Sequence, residues 1–174
     1  AYIGMKKKAC ERLGIKSFEF LLPAESSEAD LMQLIESLND RDEVDGILLQ
    51  MPLPKGFDEQ KMLELIDPSK DVDGFHPINV GKLLIGLDAF KSCTPYGVFE
   101  LMKRYDIDAN GKHVVIIGRS NIVGKPMAAI LVQNEVGANA TVTVCHSRTK
   151  DLAAITKQAD ILIAAIGKPH FVTD

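Results

Sequence analysis

The sequence predicts an α/β protein in two parts: a small α/β domain, followed by a domain built on a doubly wound parallel sheet. Short apolar runs alternate with amphipathic helical segments, and a glycine-rich turn joins a buried-type strand to a helix in the second half. The halves also differ in charge. Residues 1–90 carry 10 Lys and Arg against 17 Asp and Glu, a balance of −7, whereas residues 91–174 carry 10 against 7, a balance of +3.

The composition excludes several classes of protein. With 174 residues and 46% hydrophobic content, the chain can bury a real core, so it is not predicted to be disordered. Its net charge of −4 argues against a nucleic-acid binder that relies on bulk positive charge. No run approaches the roughly 20 apolar residues that a membrane helix needs, so no membrane partner is predicted. Three scattered cysteines predict a reducing compartment, and the four histidines show no metal-ligand spacing.

The first half predicts helices and strands in alternation. Helices are predicted over residues 2–13 and 58–66, and between them from an N-cap region at 26–30 to residue 39. Strands are predicted over 15–22 and 47–49. A glycine follows the first helix and prolines follow both strands, which are the usual stop signals. Serines before the second helix are typical N-cap residues.

The second half predicts a β-α-β-α-β unit after a hinge at residues 86–92. A helix is predicted to begin at Pro95, which suits a first helical position. The following elements are strand 114–117, helix 125–133, strand 140–145, helix 149–157 and strand 161–165. This order is that of the mononucleotide-binding half of a doubly wound, Rossmann-like fold.

The strand-to-helix turn from Gly118 to Gly124 is the strongest functional signal. Glycine lets the backbone approach a pyrophosphate, and the N-terminus of the next helix is expected to supply free N–H groups. The turn departs from Gly-x-Gly-x-x-Gly, because Ser120 stands at the second glycine and the third falls one place late. The alternative is a packing turn without a ligand.

The end of the second strand indicates which dinucleotide would bind. It runs Cys145-His146-Ser147-Arg148-Thr149, with no acid for a ribose 2′-hydroxyl. Together with Arg119, the Arg148 guanidinium would suit a 2′-phosphate, so NADP is preferred to NAD. The alternative is that Ser147 or Thr149 only caps the next helix and that Arg148 is solvated.

Three polar positions in the first half could carry chemistry. Tyr2 and Lys6 lie one helical turn apart on one face, where they could hold a flat substrate and move a proton. Gln50 closes an apolar strand, and Asp73 lies in a polar loop. Each of these signals is weak alone, because a Tyr-Lys pair on a helix, a Gln after a strand or an Asp in a loop more often has no function than a catalytic one.

Together these stretches resemble the bifunctional methylenetetrahydrofolate dehydrogenase/methenyltetrahydrofolate cyclohydrolase family. The off-pattern glycine spacing is also what this family shows. The matching runs occur in the family's order over nearly the whole chain: residues 2–6, 46–54, 70–81, 93–95, 118–126 and 145–149.

The resemblance implies a folate-binding domain over residues 1–90 and an NADP-binding Rossmann-like domain over 91–174, acting on 5,10-methylenetetrahydrofolate in one-carbon metabolism. Both domains are expected to be incomplete, because the chain lacks an initiator Met, begins within a helix and stops just past a strand. A cytoplasmic homodimer is expected, with an organellar location left open. Neither nucleic acid nor a membrane is expected as a partner, and no metal is expected.

The resemblance also implies roles for individual residues. Lys6 would be the general base or acid and Gln50 its hydrogen-bonding orienter. Tyr2 would lie against the folate, and Asp73 would accept hydrogen bonds from the pterin. The expected cofactor-binding residues are Thr94 near the nicotinamide and Gly118, Arg119, Ser120, Ile122, Ser147 and Arg148 along the rest of NADP.

Two alternatives come from other classes. A short-chain dehydrogenase also combines Tyr-x-x-x-Lys with a dinucleotide-binding turn, but there the pair follows the turn, whereas here it precedes the turn by over a hundred residues. A non-catalytic NADP-binding regulatory module would bind NADP without folate.

Overall fold

The computed structural model describes residues 2–173, apart from the side chain of Tyr2. Five helices precede the sheet: α1 (Tyr2–Leu13), α2 (Glu28–Asn39), α3 (Glu59–Leu65), α4 (Pro77–Leu84) and α5 (Cys93–Arg104). The remaining elements alternate: β1 (His113–Ile117), α6 (Gly124–Leu131), β2 (Thr141–Cys145), α7 (Leu152–Thr156) and β3 (Ile161–Ala164). Within this range no helix has the length and apolar content needed to cross a membrane.

The second half is built on a three-stranded parallel sheet in the order β2-β1-β3. Ile117 at the end of β1 pairs with Cys145 on one side and with Ala164 on the other, so the carboxyl ends of all three strands meet at one edge. The central strand β1 is almost wholly buried, as expected for a parallel strand covered on both faces. This arrangement confirms the predicted doubly wound architecture.

The core of the second half lies between this sheet and helices α5 and α6. Val114 and Ile116 of β1 pack with Phe99 of α5 and Ile130 of α6. Leu83 of α4 belongs to the same core, so α4 packs on the second half although it precedes the predicted hinge.

The first half has a separate core between α2 and α3. Ile35 and Met62 are its most deeply buried members, and Ile47 packs with them. Helix α2 begins with a capping box, in which Ser27 Oγ accepts from the Asp30 N–H and the Asp30 carboxylate accepts from the Ser27 N–H. The cap fixes the start of α2, and the shared core packs α2 against α3.

The two strands predicted in the first half are wrong as sheet strands. Residues 15–22 form no strand and their side chains are exposed. Of residues 47–49, Ile47 alone is paired, through an isolated parallel bridge to Asp71. The apolar pattern was present, but a strand is stable only beside a partner, and residues 2–173 supply none for the first segment.

Helix α4 was not predicted, although its sequence carries start signals. His76 Nδ1 accepts the Ile78 N–H at 3.1 Å and caps the helix, and Pro77 is its first residue. The helix predicted to begin at Pro95 begins two residues earlier, at Cys93. Pro95 is therefore buried within the first turn, where a missing N–H costs nothing.

We predict that Ile116→Ala destabilises the protein by about 2–5 kcal/mol, because Ile116 is 0% exposed at the centre of the sheet and its loss leaves a cavity. Val136→Ala, at a position 93% exposed, is the matched control and should change stability by less than about 0.5 kcal/mol. Chemical denaturation measures both. Equal effects would contradict the placement of Ile116 in the core.

Candidate active site

Three of the predicted site residues converge in the first half. Lys6 of α1 donates from Nζ to Gln50 Oε1 at 3.4 Å, across 44 residues of sequence. The Gln50 amide is itself oriented, because its Nε2 donates to the Met51 carbonyl at 3.0 Å. The ammonium of Lys6 also acts electrostatically on Asp73. The fold thus brings an amine, an amide and a carboxylate into one cluster, which we call the Lys6 cluster (Lys6, Gln50 and Asp73).

Asp73 is half-buried, and its surroundings change its acidity. Burial raises the pKa of Asp73 above its ordinary value, and the nearby Asp71 carboxylate raises it further. The Lys6 ammonium and a hydrogen bond from Cys93 act in the opposite direction without cancelling the rise. Asp73 therefore gains a proton at a higher pH than an exposed aspartate does.

Cys93 is a site residue to which the sequence analysis gave no role. It opens α5, and its Sγ lies 3.9 Å from Asp73 Oδ1 and 3.7 Å from the Val72 carbonyl. Burial raises the pKa of the Cys93 thiol, and the Asp73 carboxylate raises it further. The sequence did offer a signal for Cys93, because residues 93–95 are one of the runs that match the family. The Cys93 thiol therefore connects the start of α5 to Asp73 of the Lys6 cluster.

The predicted cofactor residues gather at the carboxyl edge of the sheet. The Gly118 N–H donates to the Cys145 carbonyl at 2.8 Å, so the turns after β1 and β2 leave the sheet side by side. Arg119 lies on the first turn and Ser147 and Arg148 on the second, all with exposed side chains. Two guanidinium groups on adjacent turns form a donor set suited to phosphate.

The second turn is held by its own hydrogen bonds. The His146 N–H donates to Thr149 Oγ1 at 2.8 Å, and the Arg148 N–H donates to His146 Nδ1 at 3.1 Å. Asp151, and not Ser147 or Thr149, caps α7. The capping alternative for these two residues is therefore wrong, and Ser147 stays available to a ligand.

The start of α6 differs from the prediction. Ser120 Oγ accepts the N–H groups of Val123 and Gly124 at 3.1 and 3.3 Å, and the Ser120 carbonyl accepts the Lys125 N–H at 3.0 Å. Pro126 has no N–H. The expectation that this helix offers free N–H groups to a pyrophosphate is thus wrong for these residues, because the serine in the turn has already bonded them.

Two glycines make this turn possible. A Cβ at Gly118 would overlap the Ala165 carbonyl, and one at Gly124 would overlap the Gly118 carbonyl. Gly124 therefore allows the start of α6 to pack closely against the backbone of Gly118. The late third glycine, which looked like a departure from the motif, has a packing reason.

Ser92 links the two regions and was also missed. It is buried, and its Oγ donates to the Ile122 carbonyl in the glycine-rich turn at 2.6 Å. Thr94 follows two residues later, next to Cys93, with an exposed side chain. The side chain of Tyr2 lies outside the described residues, and its predicted contact with substrate stays a prediction.

Cavities of about 330 and 340 Å³ are present among the described residues. Neither is lined by a residue of the Lys6 cluster or of the turns after β1 and β2. The first lies by the loop between α6 and β2 and the second against α3. Within residues 2–173 no group of His, Cys, Asp or Glu is placed to hold a metal ion.

The parallel sheet, its glycine-rich turn and the packed helices define a doubly wound α/β protein. The chain belongs to the tetrahydrofolate dehydrogenase/cyclohydrolase family. The family's catalytic-domain profile matches residues 1–73, and its NAD(P)-binding-domain profile matches residues 92–174. The two matches fall on either side of α4 and the predicted hinge.

Curated relatives carry the name bifunctional protein FolD. The protein from Campylobacter hominis is 58% identical over 98% of this chain and 59% of its own length. The protein from Lachnoclostridium phytofermentans is 56% identical over 99% of this chain and 60% of its own length. The chain thus spans about three fifths of the curated relatives that it matches.

Solved structures agree with this assignment. The bifunctional FolD dehydrogenase/cyclohydrolase from Campylobacter jejuni is 53% identical, with a TM-score of 0.90 over 95% of this chain and 58% of that one. The Trypanosoma brucei enzyme, solved with NADP cofactor and an inhibitor, is 36% identical, with a TM-score of 0.88 over 97% of this chain and 57% of that one.

We predict that Cys93, although exposed, reacts slowly with iodoacetamide near neutral pH, because partial desolvation and the Asp73 carboxylate both raise the pKa of its thiol. Asp73→Asn should speed the reaction several-fold, since it removes a negative charge beside the sulfur. Mass-spectrometric labelling rates between pH 7 and pH 10 measure this, with Cys10 in the same sample as the internal control. An unchanged Cys93 rate in the variant would contradict the contact.

Proposed function

We propose that the complete protein oxidises 5,10-methylenetetrahydrofolate to 5,10-methenyltetrahydrofolate with NADP and then hydrolyses that product to 10-formyltetrahydrofolate. The observation that carries this proposal is the Lys6 cluster, with Cys93 joining it to the half that bears the cofactor turns. Family membership and the names of the relatives support the same pair of reactions.

The oxidation is proposed to depend mainly on position. Bound NADP would supply the hydride acceptor for the one-carbon bridge, and the two folate nitrogens would stabilise the positive charge left on the folate. This step needs little acid or base chemistry. The main task of the protein is to hold the donor carbon of the folate close to the acceptor carbon of the nicotinamide. The Ser92–Ile122 hydrogen bond supports this role, because it fixes the start of α5 to the glycine-rich turn.

The hydrolysis is proposed to depend on Lys6. Water adds to the methenyl carbon and loses one proton, which neutralises the cation. The bond from this carbon to N5 then breaks as the remaining hydroxyl proton is lost and N5 gains a proton, which leaves the formyl group on N10 and releases one proton overall. The Lys6 amine is proposed to move these protons, and Gln50, bonded to both Lys6 and the Met51 carbonyl, to fix its direction. Tyr2, one turn away on α1, is proposed to lie against the folate rings.

Asp73 is proposed to recognise the pterin. A carboxylate can accept two N–H groups from a guanidine-like ring edge, but only when it is ionised. Because burial raises its pKa, folate binding should weaken as the pH falls through a value above that of an exposed aspartate. The nearby Lys6 ammonium favours the ionised form and limits this loss.

NADP is proposed to bind along the carboxyl edge of the sheet. Arg119 and Arg148 would pair with the 2′-phosphate, and Ser147 would donate to it. The exposed guanidinium groups on adjacent turns support this assignment, as does the family's NAD(P)-binding domain. Thr94 would lie near the nicotinamide, and the remaining contacts are proposed for Gly118, Ser120 and Ile122.

The assembly and location are proposed to follow the family. We expect a homodimer and, because Cys10, Cys93 and Cys145 are all free thiols, a reducing compartment such as the cytoplasm. The domain boundary is proposed to lie near residue 90.

We predict that Lys6→Met in the complete protein lowers cyclohydrolase turnover by at least about 100-fold while folate and NADP still bind, because the proton-transfer group is lost. Lys8→Met, an exposed lysine on the same helix, should leave the rate unchanged. Loss of methenyltetrahydrofolate absorbance measures turnover. Wild-type hydrolysis in Lys6→Met would remove Lys6 from the mechanism.

We predict that Arg119→Ala weakens NADP binding about tenfold or more but changes NAD binding less than about twofold, because only NADP has the 2′-phosphate. Lys112→Ala, at the amino edge of the sheet before β1, is the control for general loss of positive charge. Calorimetric titration with each dinucleotide measures both. Equal loss for NADP and NAD would defeat the 2′-phosphate assignment.

A further inference from the structure

A buried hydrogen-bond network lies directly beside the turn that carries Asp73. Asp71 is 2% exposed, and its Oδ2 accepts the His76 N–H at 2.8 Å and the Asn79 side-chain amide at 2.9 Å. The same Asn79 amide donates to the Pro68 carbonyl at 2.8 Å. The Asp71 side chain thus joins the turn to the first residues of α4.

The network also reaches α3. His76 Nε2 lies 3.2 Å from the Glu64 carbonyl, and His76 Nδ1 accepts the Ile78 N–H. On its carbonyl side Asp71 accepts the Gly74 N–H at 3.2 Å, which closes the turn around Asp73. Asp71 therefore fixes the turn to α4 directly and to α3 through His76.

An ionised carboxylate is energetically unfavourable at this buried position. Burying a charge is unfavourable unless it is paired, yet the ion pairs found within residues 2–173 do not include Asp71. Its two hydrogen-bond donors are neutral, so an asparagine could accept the same hydrogen bonds without the charge. The negative charge of Asp71 therefore needs another explanation, and the structure offers one: it acts electrostatically on the neighbouring Asp73 carboxyl.

We propose that Asp71 is a positioning residue for the folate site: its buried carboxylate fixes the Asp73 turn to α4 and places a negative charge close to Asp73. This inference rests on the proposed function in so far as Asp73 binds folate. The charge makes Asp73 a stronger hydrogen-bond acceptor and a weaker acid.

Three groups set the protonation of Asp73 from the elements around it. Lys6 on α1 contributes positive charge, the Cys93 thiol on α5 donates a hydrogen bond, and Asp71 on the same turn contributes negative charge. Asp71 is the only one of the three that is buried and held by hydrogen bonds from two other residues. Its effect should therefore be separable by substitution.

The test compares Asp71→Asn with Asn79→Ala in the complete protein. Asp71→Asn removes the charge but leaves an oxygen that can accept the same hydrogen bonds, whereas Asn79→Ala removes the Asn79 hydrogen bond and keeps the charge. In both variants the KM for methylenetetrahydrofolate should rise about three- to tenfold, while the KM for NADP changes less than about twofold. In Asp71→Asn alone, the acid limb of the kcat/KM profile for folate should move to lower pH by about half a unit to one unit.

A direct titration makes the test independent of activity. Carbon-13 NMR of the Asp73 carboxyl, assigned with Asp73→Asn, should show a lower pKa in Asp71→Asn and an equal or higher one in Asn79→Ala. An unchanged pKa in Asp71→Asn, or a lower one in Asn79→Ala, would overturn the proposal. If the wild-type protein shows neither activity, the proposed function fails, whereas the NMR result still decides the role of Asp71.

Discussion

The close approach of Gly74 to the chain before α5 is the constraint on which the site depends. Gly74 is buried with φ +65°, and a Cβ there would lie 2.6 Å from the Phe90 carbonyl oxygen and 2.9 Å from the Ser92 nitrogen. Only glycine allows both the conformation and the contact. Because the two segments touch here, the residue before Gly74, Asp73, meets Cys93 on one side of the contact, and Ser92 reaches the cofactor turn on the other.

Local charges, and not the overall charge of a half, govern this site. The first half is acidic, with a balance of −7, yet the proposed folate substrate is itself an anion. Lys6 supplies positive charge that acts on the half-buried Asp73, and the buried Asp71 supplies negative charge that acts on the same carboxyl. Burial makes such neighbouring charges act strongly on one another, whereas exposed charges elsewhere in the half are screened by solvent.

Much of the fold could be predicted from local pattern. The strands and helices of the second half are confirmed, because a continuous apolar strand such as Val114 to Ile117 is followed by its turn and helix within a short stretch of chain. The first half was harder. The apolar run at 15–22 predicted a strand, but strand formation requires a partner, which can lie far away in sequence. Helix α4 was missed although Pro77 at its first position is a start signal.

The sequence by itself determined the family, the order of the elements in the second half and the residue types of the site, since these depend on motifs and on periodicity along the chain. Only the tertiary structure decided which residues meet. It brought Lys6 to Gln50 across 44 residues, placed Cys93 against Asp73, and showed that Ser120 already bonds the first N–H groups of α6. It also buried Asp71, which the sequence could show only as an acid in a polar loop. The physical reason is that burial and side-chain contact arise from packing between distant segments, and no local pattern records that packing.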